Sequence, residues 1–168
     1  MTSSPLLRRG LASVALAAAS VGAAQAHTLF GTTAVGNQII AGAALVPING
    51  MFSPLITIAP GQRLMVHFAA ECAVDAPAGN TTAWTDVDIV MLNPAGLVVR
   101  TLVPTGGNLG AFCSADGSAG LSGWRSNKVI AELRTNLPLG QYRVQVRARL
   151  NNGATQASYG ERTLLITN

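Results

Sequence analysis

The chain has 168 residues, of which 49% are apolar and 11% charged, with eleven Lys and Arg against seven Asp and Glu and a formal net charge of +4. That length suits one domain around one sizeable core. The basic balance comes with no basic run and no aromatic RNA-binding motif, so nucleic acid is excluded as an expected partner.

In chain order, Arg8 and Arg9 precede an apolar run from Leu11 to Ala24, and Ala24-Gln25-Ala26 has the small-x-small form that signal peptidase cuts. The run is too short and too rich in Ala for the ~20 strongly apolar residues that span a bilayer. Residues 1–26 are therefore read as a signal peptide and 27–168 as the domain, with no membrane span after cleavage. The expected location is secreted or periplasmic. Arg8 and Arg9 leave with the signal, so part of the basic balance belongs to it.

Cleavage after Ala26 makes His27 the first residue. An N-terminal histidine binds copper through its amine and ring nitrogen, and His67 is the one other histidine that could complete such a site. On this feature the chain resembles exported copper proteins built on a β-sandwich, such as lytic polysaccharide monooxygenases and CopC-like carriers. That resemblance implies copper at His27 and His67. The simpler expectation is two unrelated histidines and no resident cofactor.

From His27 onward the pattern is short runs of period two, separated by Gly, Pro, Asn and Asp. Strands are expected over residues 38–46 and 55–58. In "QRLMVHFAAEC", Leu64, Val66, Phe68, Ala70 and Cys72 share one face, while Arg63, Met65, His67, Ala69 and Glu71 share the other. Cys72 thus points with the aliphatic residues. In an exported chain, Cys72 and Cys113 are expected to form a disulfide rather than a metal pair. Closing a ~42-residue loop this way contributes about 4 kcal/mol in the chain-entropy account.

"TDVDIVML" and "LVVRTLV" flank "NPAG", read as a β-turn. Asp86 and Asp88 share a face of the first of these strands, expected to be solvent-facing. The alternative is paired carboxylates for glycoside hydrolysis, which needs carboxyl groups ~5–9 Å apart beside a cleft. Residues 111–114 form a further short strand, and Asp116 to Gly123 form a Gly-rich loop. "GLSG" within that loop is one residue short of a nucleophile elbow and lacks its strand-turn-helix setting. Nor does Asp116 bring calcium-loop spacing to Asp86 and Asp88. The chain is expected not to be an enzyme.

The last strands are expected over 124–136, 141–150 and 161–167. In the second of these, Tyr142, Val144, Val146, Ala148 and Leu150 fall on one face and Arg143, Arg147 and Arg149 on the other. Reading "NLPLG" as a hairpin connection pairs Leu133 with Val144 and Val129 with Ala148, and sets Arg134 beside Arg143 and Lys128 beside Arg149. That register predicts one basic sheet face of Lys128, Arg134, Arg143, Arg147 and Arg149, suited to an anionic polysaccharide or an acidic surface protein. Trp84 and Trp124 each sit at a loop–strand junction, where an indole can stack on a sugar ring. They form the candidate carbohydrate platform.

About eight short strands with turns between them predict an all-β fold, a single antiparallel β-sandwich of jelly-roll or immunoglobulin-like connection with one disulfide. An outer-membrane barrel would want ~10-residue strands with aromatic girdles, which these scattered aromatics do not supply. "PGQRLMVHF", the central Cys pair, "GWRSNKVIAEL" and "LPLGQYRVQVRARL" together resemble exported bacterial β-sandwiches of the C1q/TNF-like jelly-roll type. The resemblance implies a binding or assembly module without catalysis, often a homo-oligomer, and carries no ligand residue over. The expected function is thus an exported, non-catalytic binding or assembly module. A copper protein using His27 and a small carbohydrate-active enzyme using Asp86 and Asp88 are the alternatives.

Overall fold

The computed structural model of the chain describes residues 27–102, 111–134 and 136–168, the side chain of Arg134 excepted. The expected signal peptide, 1–26, lies outside the described residues. Eleven strands and no helix are found among those described: β1 (Thr28–Ala34), β2 (Gln38–Ala41), β3 (Val46–Phe52), β4 (Ile56–Ile58), β5 (Arg63–Asp75), β6 (Trp84–Leu92), β7 (Val98–Leu102), β8 (Cys113–Ser114), β9 (Arg125–Arg134), β10 (Gly140–Asn151) and β11 (Gln156–Thr167). The nine runs named above become eleven strands because the expected 38–46 strand stops before Gly42, which has φ +82°, and resumes as β3 at Val46, and because β1 was not anticipated.

All pairings are antiparallel. One sheet runs β1-β11-β5-β9, with β2 also on β11; the other runs β3-β10-β6-β7, with β4 on β10 and β8 on β6. Taking the eight strands of these two paths in chain order, the first sheet is first-eighth-third-sixth and the second is second-seventh-fourth-fifth. That interleaving is a jelly roll. An immunoglobulin arrangement would pair the first strand with the second, whereas β1 lies against β11.

Alternation fixes the facing of each strand. On β5, Leu64, Val66, Phe68, Ala70 and Cys72 are buried, and on β10 Tyr142, Val144, Val146, Ala148 and Leu150 are buried, as their period-two pattern predicts. Phe68, Tyr159, Leu164 and Ile166 of the first sheet meet Ile48, Ile89, Met91 and Val146 of the second in one core. Phe112 lies 5.3 Å from Phe68 and 6.0 Å from Tyr159, between ring centroids. Links across the sandwich include a covalent bond and a buried hydroxyl pair. The Cys72–Cys113 disulfide joins β5 to β8, and the Tyr159 hydroxyl is 2.8 Å from Thr85 Oγ1. Burial pushes the Tyr159 phenol well above its usual pKa.

The "NPAG" turn forms as expected. Gly96 N–H donates to the Asn93 carbonyl at 2.9 Å, and the Asn93 side chain accepts from Leu97 N–H at 2.9 Å. Gly96 has φ +81°, which a side chain would strain.

The expected β9–β10 hairpin does not form. Strand β9 pairs with β5, setting Leu133 opposite Leu64 and Val129 opposite Phe68. Strand β10 pairs with β6, setting Val144 opposite Met91 and Ala148 opposite Val87. The connection between them carries the chain from one sheet to the other. Matching apolar faces made the hairpin register look consistent, but any two strands of the same alternation satisfy that test.

Candidate functional site

The outer face of the first sheet is interrupted by a β-bulge. Tyr159 pairs with Cys72 and Arg162 with Ala70, so Gly160 and Glu161 together oppose the single residue Glu71. A bulge frees backbone groups from the ladder, and here Arg162 collects them from inside the sandwich. Its Nη1 donates to the carbonyls of Gly36 and Gly160 at 2.7 Å and of Tyr159 at 3.3 Å, while Nε donates to that of Asn49 at 3.0 Å. Arg162 is only 5% exposed, and that burial draws its pKa below the usual guanidinium value.

Outside, the bulge makes a seat for Trp124. A Cβ on Gly160 would stand 3.2 Å from Trp124 Cζ3 and 3.0 Å from Glu71 Oε2. The indole edge and the carboxylate therefore both approach a residue that has no side chain to hold them away. Trp124 keeps 44% of its surface exposed. A shallow groove of about 200 Å³ shares Glu71 with this seat and is further lined by Ala69, Ser126, Asn127, Glu161, Arg162 and Thr163, among others. Register explains the lining, since β9 lays Ser126 against Glu71 and Asn127 against Ala70. No salt bridge to Glu71 or Glu161 forms among the described residues.

The loop that delivers Trp124 is braced by carboxylates. Asp116 Oδ1 accepts from Ser118 N–H at 2.8 Å and Ser122 Oγ at 3.0 Å, and Asp75 Oδ1 accepts from Gly120 N–H at 2.8 Å. The bonds from Ser118 and Ser122 hold the Asp116 carboxyl below its ordinary pKa. Gly123, at φ +61°, turns the chain into Trp124, and a Cβ there would meet Asp116 Oδ2 at 2.7 Å.

The two tryptophans are not one platform. Trp84 begins β6 in the second sheet, opposite Asn151 and Ser114, and is half-buried. Trp124 enters β9 in the first.

The single basic face is likewise corrected. Lys128 and Arg134 lie on β9 in the first sheet, opposite Ala69 and Arg63, whereas Arg143, Arg147 and Arg149 lie on β10 in the second. On that second sheet Arg143 lies over the Phe52 ring at 5.6 Å, and Arg147 stands opposite Asp88. Arg149 Nη2 donates to Asp86 Oδ2 at 3.1 Å. Opposed charges across neighbouring strands replace a uniform cationic surface.

Asp86 is also corrected. It is 4% exposed rather than solvent-facing, and its second oxygen accepts from Val87 N–H at 2.9 Å. With Arg149 directly opposite, this carboxylate is committed to its own sheet rather than opened to a cleft with Asp88.

The two histidines are set apart. His67 pairs with Leu165, which pairs in turn with Gly31. His27 lies four residues before Gly31, roughly 13 Å along the strand and two strands away. His27 instead exchanges two hydrogen bonds with Asn168, its N–H donating to Oδ1 at 3.1 Å and its carbonyl accepting from N–H at 3.0 Å. Among the described residues no three His, Cys, Asp or Glu side chains gather as a metal site.

Sequence reasoning missed Gly160 and Glu71 beside Trp124, and Ser126, Asn127 and Glu161 as lining of the adjoining groove. One signal was present: Gly160 inside a strand pattern, "SYGERT", is the mark of a bulge or a close approach.

No family model matches the chain, and no curated protein matches it. Similar solved structures are from infectious bursal disease virus. Its VP2 subviral particle is 12% identical with a TM-score of 0.48, covering 94% of this chain and 37% of the viral one. The structure of its Gt strain is 10% identical with a TM-score of 0.49, covering 93% and 37%. The present chain thus spans little more than a third of those proteins. The jelly-roll assignment rests on the strand order itself.

Proposed function

We propose that the protein is an exported, non-catalytic binding module whose jelly roll presents a carbohydrate platform at Trp124. The observation that carries this reading is the seat over Gly160, where a 44% exposed indole and Glu71 approach one point, Glu71 also lining a groove with Ser126, Asn127 and Glu161. An aromatic face supplies apolar stacking for a sugar ring, and nearby hydroxyls and carboxylates supply hydrogen bonds to its hydroxyls. The platform is local to the first sheet and does not include Trp84. Export is supported by the signal-like segment at 1–26 and by the fit of a Cys72–Cys113 disulfide to an oxidising compartment. A C1q/TNF-like binding or assembly role is in keeping with the jelly roll.

The test is a glycan array probed with the protein and with Trp124→Ala. The reading expects binding to one group of oligosaccharides that Trp124→Ala loses and Trp84→Phe retains. An array on which no glycan binds, or on which Trp124→Ala binds as well as the parent, removes it.

A further inference from the structure

We infer that the outer face of the first sheet packs against a second copy of the chain, across a two-fold axis that runs perpendicular to the strands at His67. The ladders fix which residues share that face. On β5 these are Arg63, Met65, Ala69 and Glu71, all exposed, with His67 half-buried between them. On β9, Glu132, Ile130 and Lys128 stand opposite Met65, His67 and Ala69 in turn. On β11, Thr167, Leu165 and Thr163 stand opposite the same three from the other side. The middle row is therefore Leu165, His67 and Ile130, each half-buried, with Gly31 of β1 beside Leu165. Met65, next to that row, is 38% exposed. Charge bounds this apolar stripe, with Glu71 and Lys128 toward one end and Arg63 and Glu132 toward the other.

Those charges specify the occupant. A two-fold axis across the strands sets each strand over its own copy and reverses the rows about His67. Glu71 lies four residues after His67 and Arg63 four before it, so Glu71 falls on Arg63 of the second copy. Lys128 and Glu132 are register partners of Ala69 and Met65, two residues either side of His67, so Lys128 falls on Glu132 of the second copy and the small Ala69 on its long Met65. Each contact occurs twice. Within one chain Arg63 already engages Glu132, so pairing builds an alternating network, which holds better than isolated surface pairs. The other two-fold in this plane, along β5, would lay Glu71 on Glu71 and Arg63 on Arg63, and charge repulsion excludes it.

Residues 63–71 and their partners on four strands span roughly 27 Å by 19 Å, about 500 Å² on each copy. About 1,000 Å² in all is the least that a specific interface needs. The pairing is therefore weak and concentration-dependent, with a Kd of about 10–100 µM. Trp124 precedes Ser126, the partner of Glu71, by two residues and lies outside these rows, whereas the groove beside Ser126 lies within them. A second copy and a sugar entering that groove compete for one face.

Sedimentation of the protein over about 1 µM to 1 mM tests this, and a reversible dimer is expected to grow in across that range. A strict monomer at about 1 mM overturns it. Lys128→Glu and Glu132→Lys each oppose like charges at both contacts and should each weaken dimerisation by about tenfold or more. Mixed in equal amounts, the two variants restore opposite charges at both contacts, and a mixed dimer of near-parental affinity should form. Glu71→Lys, at a position with no ion pair among the described residues, should weaken the dimer comparably and leaves the Arg63–Glu132 pair in place. A mixture that stays monomeric, with both variants folded by circular dichroism, overturns the proposed register. So does a parent dimer that Lys128→Glu and Glu71→Lys leave unchanged.

Discussion

Trp124 is seated on Gly160: a single added carbon at Gly160 would stand 3.2 Å from the indole Cζ3. The contact joins the loop entering β9 to the bulge in β11, across the end of β5. Sequence separation hides it, and only the strand order of the jelly roll brings the two together.

Gly160→Ala should therefore act on the site more than on the fold. No positive φ is required at Gly160, so the backbone accepts alanine and the clash falls on two side chains at the surface. A stability loss of about 1 kcal/mol is expected. In a Trp84→Phe background, the emission of Trp124 should shift as its surroundings change. Unchanged emission would mean that the indole is not held by this contact.

Arg162→Ala should cost much more, about 3 kcal/mol, because buried carbonyls at the bulge would lose their donor. Arg162→Lys recovers part of this at most, since an ammonium lacks the planar fork that reaches four carbonyls. Denaturant unfolding of both variants checks the order.

The Asp116 brace gives the site a pH dependence with a defined sign. Hydrogen bonds lower its folded pKa, so the stability it adds to the loop is present above the unfolded value of about 3.9 and is lost as pH falls through the folded pKa. Amide exchange at Ser118 should stay slow, after correction for intrinsic rates, down to about pH 4 and quicken below it. Asp116→Asn should abolish that acid transition.

How much of this was legible beforehand follows from what alternation can and cannot encode. The facing of β5 and β10, and the inward aim of Cys72, were readable because one buried face writes a period of two into the chain. The partner of β9 was not readable, because Leu133 suits Leu64 or Val144 equally well and "NLPLG" imitates a hairpin connection. The misplaced basic face followed from that one pairing. Trp124 was singled out for its junction position, but its companions Glu71 and Glu161 come from strands some 90 residues apart in sequence, joined only by register. The bulge itself left a trace in Gly160, which alternation alone cannot interpret.

The disulfide should contribute about 4 kcal/mol, so the double variant Cys72→Ala, Cys113→Ala should unfold at markedly lower denaturant. Because Cys72 is adjacent to Glu71, partial loss of binding below the unfolding midpoint should accompany it. Non-reduced peptide mapping should show the Cys72–Cys113 link. Two unpaired thiols in exported protein would contradict both the staple and the compartment.

The most direct measurement is a two-dimensional amide and indole NMR titration of the chain with an oligosaccharide selected on the glycan array. Shift changes should concentrate at the Trp124 indole N–H and at the amides of Glu71, Ser126, Asn127, Gly160 and Glu161, with Trp84 and the β10 arginines unmoved. Changes centred on Trp84 or on Arg143, Arg147 and Arg149, or none anywhere at saturating sugar, would contradict a carbohydrate platform at the bulge.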